Sequence, residues 1–277
     1  MVYNLSIATF GDGVVYTKEQ IQKYFERINY TGSEDVSLEN LTLLQKGHLY
    51  NIPYENLDQM NGVPLSLTPE GVFNKIVTNH RGGYCFENQG LLCYALRSLG
   101  YDVVQYAGRF MNEPGVIQMR RHRILVVTID GERYVSDVGM RSETSRVPLL
   151  LKENLVQTDG VGEYKYVKDD FYGWVIMQKL LDKDWKPLYG FTEEVQVDDD
   201  FVMPSFFCEK HPDSPFNTIM KIAIYTPDSN LNIVDNEYKV YKMSKCVEES
   251  VIANEDEARK MLKEKFGIDA PCTYRLL

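Results

Sequence analysis

The chain is 277 residues long, with 44% hydrophobic and 12% aromatic residues, enough apolar material for two or three structural units and too much for a disordered polypeptide. The net charge of −10 excludes the basic face of a nucleic-acid binder but leaves room for a local basic patch that takes a small anionic cofactor. Five cysteines with no close pair and no CxxC, and four histidines without HExxH or HxH spacing, suggest neither a disulfide framework nor a metal site.

The first residues lack the basic-then-apolar order of a signal peptide, and no apolar run is long enough to span a bilayer. A cytoplasmic protein with no membrane partner and reduced thiols is expected. Gly11-Asp12-Gly13 reads as a turn. Thr17 with Gln20 forms a capping-box signature, and Ile21, Tyr24, Phe25 and Ile28 keep helical spacing behind it. Ser37 caps a second helix carrying Leu38, Leu41, Leu44 and His48, which stops before Pro53. Thr68-Pro69-Glu70 starts a third, with Val72, Phe73, Ile76 and Val77 as its apolar stripe. Then comes Arg81-Gly82-Gly83-Tyr84-Cys85-Phe86-Glu87-Asn88-Gln89-Gly90. A helix from Cys85 to Leu99 follows, with Leu92, Leu96 and Leu99 on one face and Gly100 as its stop. Cys85 thus lies at a helix start, where unpaired N–H groups and the dipole favour a thiolate, and the two glycines let a ligand approach. The competing reading is a small buried hydrophobe.

From residue 101 the pattern switches to β-branched and aromatic runs: Val103 to Tyr106, Ile124 to Ile129, and Tyr134 to Val138. Tyr164 to Val167, Gly173 to Leu181 and Trp185 to Glu193 continue it, with Asp182-Lys183-Asp184 as a turn. An antiparallel sheet or barrel over 101–195 is expected. From Phe201 to Cys208 the chain reads as a helix either broken by Pro204 or beginning there. Strands at Thr218 to Tyr225, Leu231 to Val234 and Tyr238 to Met243 follow. Asn254 caps a last helix with Ala258, Met261, Leu262 and Phe266, ended by Gly267.

A thiol nucleophile needs a base, and the base an orienting partner. Asp130-Gly131 is a strong two-residue hairpin turn. Such a loop sets Ile129 opposite Glu132, and, counting back, Ile124 opposite Asp137 and His122 opposite Gly139. His122 and Ile124 share a face, so His122 and Asp137 are diagonal neighbours roughly 7–8 Å apart at the backbone. A three-residue loop would break this parity. A satisfied core histidine and a turn-capping aspartate remain the alternative, and spacing alone does not bring Cys85 to them.

The Arg81 to Asn88 stretch resembles the RGGxCxE motif of the arylamine N-acetyltransferases. Ile52-Pro53-Tyr54-Glu55-Asn56-Leu57-Asp58 is similar to their IPFENLD segment. His122 to Val127 and Tyr134 to Gly139 resemble their histidine and aspartate strands, Leu188 to Glu194 their FTLEP region, and His211-Pro212-Asp213-Ser214-Pro215-Phe216 falls in family order. The resemblance implies an α+β fold with a cysteine-protease-like Cys-His-Asp core: a helical bundle over 1–100, an antiparallel β-barrel over 101–195, and a C-terminal α/β lid over 196–277. It implies Cys85 as nucleophile, held as thiolate beside protonated His122, which manages the protons, and Asp137 as the group that fixes the imidazole tautomer and favours its cationic form. Acetyl-CoA would acetylate Cys85, and an arylamine or hydrazine acceptor would then take the acetyl group. Gly139, Met140, Arg141 and Phe207 are the cofactor contacts implied, and Tyr54, Phe110 and Phe207 the pocket walls. Glu55 and Glu87 are read as partners of Arg81.

The chain departs from the family after Asp137-Val138-Gly139. An aromatic and a second glycine are usual there, and Met140-Arg141-Ser142-Glu143 stands instead. Alternatives are therefore an amide-forming acyltransferase with another acyl donor, a thiol hydrolase, or a catalytically weak CoA-binding relative.

Overall fold

The structure, a computed structural model, describes residues 16–277 apart from 112, 182 and 244. The expected turn at Gly11-Asp12-Gly13 and the Asp182 end of the turn at 182–184 lie outside the described residues. Helix α1 (Lys18–Arg27) starts on the reciprocal Thr17/Gln20 capping box, and α2 (Leu38–Asn51) on Ser37, whose side chain accepts from the Asn40 N–H. A two-residue strand β1 (Tyr54–Glu55) and a short α3 (Leu57–Met60) come next. Helix α4 (Pro69–Phe73), capped by Thr68 with proline in its first turn, runs on as a single π-turn over Asn74–Thr78. Helix α5 (Cys85–Ser98) begins at the cysteine itself, and Gly100 follows in the left-handed region at φ +85°.

Strands β2 (Asp102–Phe110), β3 (His122–Ile129), β4 (Glu132–Ser136), β5 (Leu149–Leu150), β6 (Gln157–Thr158), β7 (Glu163–Asp169), β8 (Gly173–Lys179) and β9 (Lys186–Gln196) form one antiparallel sheet ordered β5-β4-β3-β2-β9-β8-β7-β6. It curls into a nearly closed barrel, because the Gln157 side chain bonds the Leu150 N–H and C=O at 2.8 and 2.9 Å and so ties its two ends. The β3–β4 turn has positive φ at Asp130 (51°) and Gly131 (80°), the primed geometry that suits the strand twist. The register pairs Ile129 with Glu132 and Leu125 with Ser136, as the two-residue loop requires, but the ladder ends there, so the expected Ile124–Asp137 and His122–Gly139 pairs are not formed and Asp137 and Gly139 lie past the end of β4. Strand β3 is buried on both faces: Leu125, Val127 and Ile129 enter the helical core, and Ile124 and Val126 the barrel interior.

A 3-10 turn (Asp198–Phe201) leads into α6 (Val202–Lys210), where Pro204 lies in the first turn and so displaces no helical hydrogen bond. A second sheet orders β1, β10 (Lys221–Tyr225), β11 (Ser229–Val234), β12 (Glu237–Lys242) and β13 (Lys245–Val251), backed by α7 (Glu255–Phe266). Two of its strands escape the sequence pattern. All seven residues of β13 are exposed, so no alternation marks them. Strand β1 is a pair of residues from the IPYENLD segment that adds to β10 through Tyr54–Ala223 and Glu55–Ile222. The Glu55 N–H also donates to the Gly83 carbonyl (3.0 Å), so β1 ties the glycine loop before Cys85 to the C-terminal sheet. Among the described residues no helix is long and apolar enough to cross a membrane.

Candidate active site

Cys85 opens α5 and is 1% exposed. Its Sγ contacts the Arg121 carbonyl at 3.6 Å, immediately before β3. Burial above all, then Cys208 and the Asp137 carboxylate, push the thiol well above its ordinary value; Arg121 and the Phe86 N–H pull it down and lose. The helix start therefore does not by itself yield a thiolate, contrary to the expectation from sequence. A base has to take the proton.

The β3–β4 hairpin supplies a candidate. His122, fully buried, holds Asp137 Oδ2 through Nε2 at 2.8 Å. Its Nδ1 has no hydrogen-bond partner among the described residues. The other Asp137 oxygen accepts from the Gly139 N–H (2.8 Å) and from Gln89 Nε2 (3.2 Å), which fixes the carboxylate. Gly139 lies against the nucleophile: a Cβ there would come within 3.1 and 3.2 Å of Cys85 Cα and Cβ. The open end of the hairpin, which carries His122 and Asp137, is thus brought to the start of α5.

Gln89 makes the junction, and the sequence reading passed over it. It lies one turn past Cys85 on the same face of α5. Its amide donates to the carbonyls of Arg123 (3.1 Å) and Ser136 (3.4 Å), and its oxygen accepts from the Val138 N–H (3.2 Å). The signal was the i, i+4 spacing from the cysteine.

A cavity of about 970 Å³ opens beside this junction, lined among others by Tyr54, Phe110, Gly139, Met140 and Arg141. Phe207 is not among its lining residues: its ring stacks on His211 at 4.3 Å. Phe216, from the His211-Pro212-Asp213-Ser214-Pro215-Phe216 motif, forms that wall instead, with its ring 5.7 Å from that of Tyr84. The Phe110 and Tyr189 rings flank the His122 imidazole at 5.0 and 4.9 Å. Arg141 closes one side and is held there by Asn232 Oδ1 of β11 at 2.8 Å.

Beneath the glycine loop the charges pair differently from expectation. Arg81 bonds Glu55 (2.7 Å) and Asp58 (3.0 Å), as half expected, but Glu87 pairs with Lys75 at 2.8 Å rather than with Arg81. Lys75 also meets Asp58 at 2.8 Å. Three carboxyl groups thus share two cations around the base of α5, a pairing that offsets much of the cost of burying them. Among the described residues no group of three or more His, Cys, Asp or Glu is placed to hold a metal ion.

A family model described as N-acetyltransferase matches residues 37–273. The chain is 34% identical over 252 residues to an arylamine N-acetyltransferase of Mycobacterium tuberculosis, covering 89% of this chain and 88% of that one. The structure is similar to that of the arylamine N-acetyltransferase from Salmonella typhimurium, with a TM-score of 0.87 at 27% identity over 93% of this chain and 94% of that one. It is also similar to the Mycobacterium marinum arylamine N-acetyltransferase in complex with CoA, with a TM-score of 0.84 at 31% identity over 90% of this chain and 93% of that one.

Proposed function

The chain belongs to the arylamine N-acetyltransferase family, and from that premise we propose that it moves acetyl from acetyl-CoA to an arylamine or hydrazine through an acetyl-Cys85 intermediate. The observation that carries this reading is the buried His122–Asp137 bond of 2.8 Å, locked by Gln89 onto the helix whose first residue is Cys85.

In the first half-reaction His122 takes the Cys85 proton at Nδ1, the nitrogen without a partner among the described residues. Asp137, held by two further donors, fixes the tautomer and stabilises the imidazolium. The sulfur attacks the thioester carbonyl, CoA leaves as its thiol with the proton from His122, and acetyl-Cys85 remains. In the second, the acceptor nitrogen attacks the acetyl carbon, gives up a proton to His122, and Cys85 leaves as the thiol. Two steps of this kind give ping-pong kinetics. Burial of the sulfur, with aromatic walls at Phe110, Tyr54 and Phe216, keeps water from the thioester. Gly139, Met140 and Arg141 line the route to the sulfur and are the groups assigned to CoA.

Intact-mass analysis after incubation with acetyl-CoA tests this. One acetyl adduct should form, be absent in Cys85→Ala, and disappear when an arylamine is added. An adduct that persists in Cys85→Ala, or none on a thiol that iodoacetamide still alkylates, overturns the proposal.

A further inference from the structure

The charged cluster beneath the glycine loop draws one of its hydrogen bonds from the far end of the chain. Three carboxyl groups there face two cations, and each carboxyl also takes a neutral donor. Glu55 Oε2 accepts the Leu57 N–H at 2.7 Å, and Glu87 Oε2 the Tyr84 N–H at 3.2 Å. Both of these donors are backbone groups next to their carboxyls. The donor to Asp58 Oδ1 is the Tyr274 hydroxyl, at 2.8 Å and 216 positions away in the chain. Tyr274 is anchored where it stands. Arg259 of α7 donates to the carbonyls of Ala270, Pro271, Cys272 and Tyr274. Asn61 Oδ1 accepts the Arg275 N–H at 2.7 Å, Glu255 accepts the Leu276 N–H at 2.9 Å, and the Leu276 side chain is buried in the core behind the second sheet.

Asp58 is where two arms of the cluster meet. Its Oδ1 takes Arg81, the first residue of the glycine loop, at 3.0 Å, and its Oδ2 takes Lys75 at 2.8 Å. Lys75 continues to Glu87, in the first turn of α5, at 2.8 Å. Cys85 lies between these two points of attachment. The Arg81 guanidinium also covers the Tyr274 ring, 5.4 Å from its centre. Burial raises the Asp58 carboxyl, but the charges of Lys75 and Arg81, with hydrogen bonds from Lys75 and Tyr274, carry it below its ordinary value. A second cavity, of about 440 Å³, opens at this cluster and is lined among others by Asp58, Lys75, Arg81, Glu87 and Tyr274. It shares no lining residue with the cavity beside Cys85. Without the Tyr274 hydroxyl, water from this second cavity competes for Asp58, and both arms loosen together.

We propose that Tyr274 is a positioning residue for Cys85: its hydroxyl holds Asp58 so that Arg81 and Lys75 together fix the segment from 81 to 87 and set the sulfur against the His122–Asp137 pair. This rests on the acetyl-enzyme reading and adds to it a residue that touches no reacting atom and takes part in no bond change. A nucleophile displaced by about 1 Å loses on the order of 10²-fold in rate, so the loss of one tether among several should cost about tenfold.

The test compares two variants of the full chain. Tyr274→Phe keeps the ring under Arg81 and loses only the hydroxyl, at a half-buried position, so the fold persists. Phe266→Leu weakens the core beside α7 and leaves the charged cluster alone. In Tyr274→Phe the single-turnover rate of Cys85 acetylation at saturating acetyl-CoA should fall about tenfold, with the half-saturating concentration unchanged. Iodoacetamide alkylation of Cys85 at neutral pH should slow by a similar factor. Phe266→Leu should lower the thermal midpoint at least as far and keep both native rates. Native rates in Tyr274→Phe overturn the inference, and so does an equal loss in Phe266→Leu, which would reduce Tyr274 to general stability. A raised half-saturating concentration with the limiting rate unchanged also overturns it, by assigning the chain end to CoA binding. Alkylation needs no acetyl-CoA, so the two readings fail separately. A native protein that is alkylated but never acetylated overturns the acetyl-enzyme reading, while slower alkylation in Tyr274→Phe alone still supports the positioning role.

Discussion

Replacing Glu87 with Gln isolates one proton on the helix that carries Cys85. Glu87 is 1% exposed in the first turn of α5, with one oxygen 2.8 Å from Lys75 Nζ and the other accepting the Tyr84 N–H at 3.2 Å. Burial pushes its carboxyl from 4.5 to about 7; Lys75 opposes the rise without reversing it, and Asp58 and Glu55 add to it. The folded chain therefore binds this proton more tightly than the unfolded chain. Between the two values the unfolded carboxyl has ionised and the native one has not, so the native protein loses stability as pH rises. The loss runs at up to about 1.4 kcal/mol per pH unit and totals about 3 kcal/mol by neutral pH. Glu87→Gln has no such proton. Its stability relative to the native protein should climb by about 3 kcal/mol across that window, whatever constant offset the lost Lys75 contact adds. Urea unfolding followed by both tryptophan fluorescence and far-UV circular dichroism, at steps from about pH 5 to about pH 8, reads the difference. A difference flat to within about 0.5 kcal/mol would refute the reasoning, since it would mean that Lys75 outweighs burial and keeps Glu87 ionised throughout.

His122→Ala should slow iodoacetamide alkylation of Cys85 at neutral pH at least about tenfold, with the rate recovering only in alkali, because burial holds the thiol above 9.0 and no base remains; equal rates by mass spectrometry would remove His122 as the activating group. Gln89→Leu leaves the Arg123 and Ser136 carbonyls without their buried donor, and should cost about 3 kcal/mol in urea unfolding and slow Cys85 acetylation. A variant as stable as the native chain would show that the hairpin and α5 hold together without it. Gly139→Ala sets a methyl 2.8 Å from Gln89 Cγ and against Cys85, so kcat/KM should fall about tenfold or more while circular dichroism stays native. Full activity would mean that the sulfur tolerates being moved.

Much of the site was legible because its parts are local. Thr17 and Gln20, Ser37, and Thr68 with Pro69 each announce a helix within one turn of sequence, and each cap is made by the side chain expected. The hairpin register followed from two turn residues, since only a primed turn suits the strand twist and its length sets every facing pair. Phe207 was misplaced for the opposite reason. Sequence order puts it near the right position, but α6 turns its ring onto His211, and the next aromatic, Phe216, reaches the cavity.

The sequence by itself determined that Cys85 opens a helix, and that His122 and Asp137 face the same side of one hairpin. Both are consequences of backbone periodicity and turn chemistry acting over a few residues. Tertiary structure alone decided which charges meet and what surrounds the sulfur. It assigned Lys75 rather than Arg81 to Glu87, buried the thiol until its helix start no longer ionises it, and set Arg121 and Lys221, a hundred positions apart in the chain, on one phenyl ring. Desolvation and pairing depend on neighbours that packing brings from across the chain, and no local pattern encodes them.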